Sequence, residues 1–140
     1  MHTTIYNKIH AGLLQIIPDL TALKDGGYRC SEVSGYMPLS LNVLHATETE
    51  IHLALAHNYK QNGDLVPDPD MEIRVYPKSC HAEALTFQDQ SSFRRIYGDN
   101  AVDVPAKKSL NEFLLGWLEN LNQQGHCLRA TEASPSAVAA

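Results

Sequence analysis

Between Tyr28 and about Tyr97 apolar side chains recur at every second position, and this alternation restricts the chain more than any other feature. "PLSLNVLHA" places Leu39, Leu41 and Val43 on one side and Ser40 and Asn42 on the other. In "EIHLALAHNY", Ile51, Leu53 and Leu55 share a side that His57 and Tyr59 continue. "MEIRVYP" sets Met71, Ile73 and Val75 against Glu72, Arg74 and Tyr76, and "CHAEALTFQ" and "SFRRIY" read as further strands. Period-two alternation with short connections predicts an antiparallel sheet with one covered face.

The cover comes from both ends of the chain. Thr3 or Thr4 can cap a helix in which Ile5, Ile9, Leu13 and Ile16 repeat at helical spacing. Pro18 has no amide hydrogen and ends or kinks that helix near Ile17; "DLTALK" adds at most a further turn before "DGG". Towards the other end, Ser109 and Glu112 have capping-box spacing. Leu110, Phe113, Leu114, Trp117, Leu118 and Leu121 then form a helical stripe that Gly125 stops. The expected fold is α+β: an antiparallel sheet of about five or six strands, with N-terminal and C-terminal helices packed on one face. The domain is expected over residues 1–126, and 127–140, with its small-residue run "TEASPSAVAA", as a disordered tail.

With 140 residues the chain suits one domain, and 44% hydrophobic against 19% charged residues is a globular balance, which argues against wholesale disorder. A net charge of −5 argues against a nucleic-acid surface, which needs a basic face to release counterions. The three cysteines, Cys30, Cys80 and Cys127, are odd in number and far apart, which favours reduced thiols over a disulfide framework. The first twenty residues hold no apolar run of signal-peptide or membrane-span length. A cytoplasmic protein without a membrane segment is expected.

In "DPDMEIRVYP", Met71, Val75 and Tyr76, followed by "AEAL" (Ala82 to Leu85), Tyr97, and Asn111, Phe113, Leu114, Trp117 and Leu118 of "LNEFLLGWL", resemble the uncharacterised bacterial YqiB-like proteins and their relatives on mobile elements. The likeness spans Asp68 to His126. It implies a shared fold and a bacterial or mobile-element setting, and it carries over no catalytic residue. Asp68 and Asp70 look like a feature of the mobile-element relatives.

Asp64, Asp68, Asp70 and Glu72 fall within nine positions without a basic residue among them. Pro67 and Pro69 bias their neighbours towards extended backbone. An extended strand would set Asp68, Asp70 and Glu72 on one face, about 7 Å between successive members by the strand rise. Aligned carboxylates are tolerated in water, beside a cation, or against a basic partner. The spacing does not match an EF-hand loop, and no metal or cofactor is assigned.

His52 and His57 lie on one strand with an odd spacing, hence on opposite faces. His57 and Tyr59, with Gln88 at the end of another strand, could line a pocket at the sheet edge. The rival reading makes them rim residues with their polar tips in water. No serine sits in G-x-S-x-G, and no glycine turn has a phosphate-cradling context. The leading expectation is therefore a non-enzymatic interaction or accessory module. It would present Asp64, Asp68, Asp70 and Glu72 to a protein partner with a basic surface, as a monomer or an edge-paired homodimer. The alternative is a small-ligand binder or enzyme built around His57, Tyr59 and Gln88.

Overall fold

In the computed structural model, residues 3–61 and 64–130 are described, with backbone alone for the parts of 58–67 among them. Helix α1 (Ile5–Ile16) starts where Thr4 accepts from the Asn7 amide while the Asn7 side chain accepts from the Thr4 amide. A 3-10 turn (Leu20–Ala22) follows Pro18. The strands are β1 (Tyr28–Ser31), β2 (Leu39–Ala46), β3 (Ile51–Gln61), β4 (Asp64–Tyr76), β5 (His81–Gln88) and β6 (Phe93–Arg95); helix α2 (Val104–Gln124) comes last. The six strands form one sheet in sequence order, each neighbour antiparallel.

The covered face is the one alternation predicts. Leu39, Leu41, Ile51, Leu53, Leu55, Met71, Ile73, Val75, Ala82 and Ala84 are buried against Ile9, Leu13 and Ile16 of α1 and Leu114, Leu118 and Leu121 of α2. The helices approach closely at Gly12, where an added Cβ would come 3.3 Å from Leu118. Asn122 donates to the Gly12 carbonyl at the same crossing. The edge strands β1 and β6 are short, which limits edge-to-edge pairing.

Two sequence expectations are corrected. Helix α2 begins at Val104, not at Ser109: Asp103 accepts from the Ala106 amide at 3.0 Å, and Pro105 is tolerated in a first turn whose amides need no helical partner. Ser109 lies inside the helix. The boundary at 126 also falls short, because Leu128 is 0% exposed and its amide donates to the Ile16 carbonyl. The Leu128 carbonyl accepts from Arg29 at 3.0 Å, and Arg29 makes a two-pronged pair with Asp19 at 2.5 and 2.8 Å. The remainder of the expected tail, 131–140, lies outside the described residues.

Candidate functional site

Among the described residues no helix packs on the outer face of the sheet, and the acidic strand opens onto it. Met71, Ile73 and Val75 point into the core, so Glu72 and Arg74 face outward. Asp70 lies across from Ala56 and Gln88, and Glu72 across from Ala54 and Thr86. Asp70 and Glu72 therefore share the uncovered face. Asp68 is not aligned with them by strict alternation: between Ala56 and Asn58 the β3–β4 register shifts, so that β4 carries an extra residue and the period of two is interrupted. Asp64 begins β4 opposite Gln61, and its side chain lies outside the described residues.

Small neighbours and one imidazole shape this site. Ala54 and Ala56 flank the carboxylates without shielding them. His52 Nε2 is 2.9 Å from Glu72 Oε1, and Thr86 Oγ1 accepts from the Glu72 amide at 3.2 Å. Arg74 is drawn instead towards Glu50, 3.8 Å away, and towards Tyr76. Asp70 is half-buried, and among the described residues no basic side chain pairs with it. Burial, and then the charge of Glu72, pushes its carboxyl above the usual carboxylate range.

His57 sits elsewhere. It is on the covered side, 9% exposed, with Nδ1 donating to the Pro38 carbonyl at 2.9 Å. Its ring meets Trp117 edge-on at 5.6 Å and His126 at 5.8 Å. Gln88 is exposed on the opposite face, opposite Asp70, and the Tyr59 side chain lies outside the described residues. The expected edge pocket is thus not assembled from His57 and Gln88. Alternation sends His57 inward, and Trp117 of α2 with His126 after the helix supplies its cover.

Next to His57, His126 Nδ1 lies 2.9 Å from Ser31 Oγ, which accepts from the Cys127 amide at 3.0 Å. The hydrogen bond between Ser31 Oγ and His126 Nδ1 takes its direction from the tautomer of the imidazole. Burial first, and His57 second, lower the His126 pKa. Ser31 is 6% exposed, so this pair holds the C-terminal segment to β1 and offers no accessible nucleophile.

Among the described residues, no group of three or more His, Cys, Asp or Glu side chains is arranged to hold a metal ion. Sequence reasoning missed His52 as the partner of Glu72. The signal for it lies in the hairpin register, which places His52 two pairs along from Ala54–Glu72 and on the same face.

Residues 11–127 match the profile of a family described as "Domain of unknown function (DUF6908)". No curated protein and no solved structure matches the chain. Among the described residues, no helix is long and apolar enough to cross a membrane.

Proposed function

We propose that this chain, which belongs to the DUF6908 family, is a non-enzymatic binding module whose uncovered sheet face docks a protein partner with a basic surface. One observation carries the reading. Asp70 is a half-buried carboxylate, destabilised by burial and by Glu72, and it has no basic partner among the described residues. An incoming Lys or Arg would relieve that repulsion, whereas bulk water already serves an ordinary surface acid. Asp68, at the bulge, and Asp64, at the start of β4, extend the acidic edge of the same strand. Prolines 67 and 69 limit the ordering cost of binding.

Four features support the rest of the reading. The Ser31–His126 contact is buried, which favours binding over catalysis. The three cysteines are unpaired, which suits a cytoplasmic setting. The resemblance of residues 68–126 to YqiB-like proteins suits a bacterial or mobile-element accessory role. The short edge strands favour a monomer over an edge-paired dimer.

The test compares wild type with an Asp64→Asn, Asp68→Asn, Asp70→Asn, Glu72→Gln variant for capture of partners and of Lys/Arg-rich peptides over a range of salt. The expected result is salt-sensitive capture by the wild type and loss of capture by a variant that remains folded. Undiminished capture by the variant overturns the proposal.

A further inference from the structure

The far edge of the sheet carries a cleft that the acidic face does not use. Strand β6 pairs only with Thr86 to Gln88, which leaves the outer edge of β5 from His81 to Ala84 to side chains from the helices. The Ala84 amide there donates to Asn111 of α2 at 2.8 Å. Just beyond it, Tyr6 of α1, Tyr76, His81, Glu83, Tyr97 and Lys107 of α2 line a cavity of about 240 Å³. At ~30 Å³ per liquid water, this space has the capacity of a few-carbon molecule.

Its carboxylate and phenol oxygens gather on one side. Glu83 Oε2 accepts from the Tyr76 hydroxyl at 2.7 Å, and Oε1 accepts from the Tyr97 hydroxyl. With its proton committed, the Tyr97 oxygen presents lone pairs beside the carboxylate, while the Tyr76 oxygen also takes a hydrogen bond from Arg74. Burial and then Glu83 push both phenols to higher pKa, as expected where further negative charge is unwelcome. The aromatic faces add a quadrupole that attracts cations. The ammonium of Lys107 already lies 6.0 Å from the ring centroids of both Tyr6 and Tyr97. Among the described residues it has no carboxylate in ion-pairing range, while its neighbour Lys108 pairs with Glu112.

We propose that this cleft binds a small organic cation, an alkylammonium group held between the rings of Tyr6 and Tyr97 and the Tyr76–Glu83–Tyr97 acceptors, with Lys107 as the internal ammonium that it displaces. An anionic ligand would meet Lys107 and the His81 ring but would also face the Glu83 carboxylate and the Tyr97 oxygen. The same chemistry could be offered by a free amine or by the side chain of a protein lysine.

Calorimetric titration of the full chain with n-butylammonium, with n-butyrate as its anionic counterpart, tests the assignment. Lys107→Met keeps the aliphatic stem and removes the competing ammonium, so it should tighten n-butylammonium binding about tenfold. In that background Tyr6→Leu, and separately Glu83→Gln, should each weaken it about tenfold, near-UV circular dichroism showing that the fold is kept. Tyr6 hydrogen-bonds neither Glu83 oxygen, so its substitution remains informative if Glu83→Gln unfolds the chain. Nα-acetyl-lysine methylamide gives the source: binding equal to that of n-butylammonium assigns a protein lysine, weaker binding a free amine, and either supports a cation site. Preferential binding of n-butyrate, or no binding of n-butylammonium by the Lys107→Met protein, overturns the proposal.

Discussion

His52 Nε2 lies 2.9 Å from Glu72 Oε1 across the β3–β4 ladder, on the face opposite α1 and α2. The two side chains are 31% and 40% exposed, so solvent screens the contact heavily. A double-mutant cycle of His52→Gln and Glu72→Gln should give a coupling below about 1 kcal/mol. A larger coupling would mean that the pair organises the sheet, in which case the face is structural.

Asp70 should act on stability in the direction opposite to its proposed effect on binding. Its carboxyl is raised by burial and by Glu72, so the folded chain holds this proton to higher pH than the unfolded chain. Between the ordinary carboxylate value and the raised one, the folded state binds more protons, and stability falls as pH rises. Above that window the penalty is constant; below it the penalty is absent. Asp70→Asn should therefore be more stable than wild type at neutral pH, with the advantage shrinking near about pH 3.5, the acid end of the carboxylate range. Urea midpoints at the two pH values check the sign.

Arg29 ties the C-terminal segment to the 3-10 turn region through Asp19 and the Leu128 carbonyl. Replacing it by Met should cost about 1–3 kcal/mol, the range for lost charge-assisted hydrogen bonds, towards the lower end because Asp19 is 40% exposed. The hydrogen bond and charge of Arg29 hold the Asp19 carboxyl below its usual range. That stabilisation is present above the ordinary carboxylate pKa and is lost as pH falls through the depressed one. Leu128→Ala should cost about 2–5 kcal/mol, as a buried truncation does. Chemical denaturation of both variants measures these effects; a neutral Leu128→Ala would show the segment to be peripheral.

Why some of this was legible in the sequence and some was not can be traced to the β3–β4 hairpin. Leu53, Leu55, Met71 and Ile73 announce their inward direction locally, each strand by its own alternation. The pairing of Gln61 with Asp64 leaves two residues for the turn, and an uninterrupted ladder from it would set Leu53 opposite Glu72. The shift between Ala56 and Asn58 restores Leu53 to Ile73 and Leu55 to Met71. It is a demand of the two strands together, visible in neither alone, and it also takes Asp68 out of line with Asp70. The cleft at the β5 edge was hidden for a related reason. In the sequence Tyr76 falls on the side opposite Met71, Ile73 and Val75, and no local pattern joins it or Tyr97 to Glu83. Only the folded chain brings their hydroxyls to Glu83 and sets Lys107 beside Tyr97.

Asn111 is where the sheet edge depends on a single side chain of α2. It is 1% exposed, accepts from the Ala84 amide at 2.8 Å, and donates to the Lys107 carbonyl one turn back at 2.7 Å. A leucine at this position fits a buried helix face by size but leaves the Ala84 N–H without an acceptor. Asn111→Leu should therefore destabilise by about 1–3 kcal/mol, the cost of an orphaned buried donor. Asn111→Asp, which keeps an acceptor at the price of a buried charge, should also destabilise, but recover towards wild type as acid protonates the carboxyl. Amide hydrogen exchange at Ala84 separates the two causes. Protection lost in the leucine variant and kept in the aspartate variant would show that the acceptor holds the strand edge. Equal protection in both would assign the stability loss to packing.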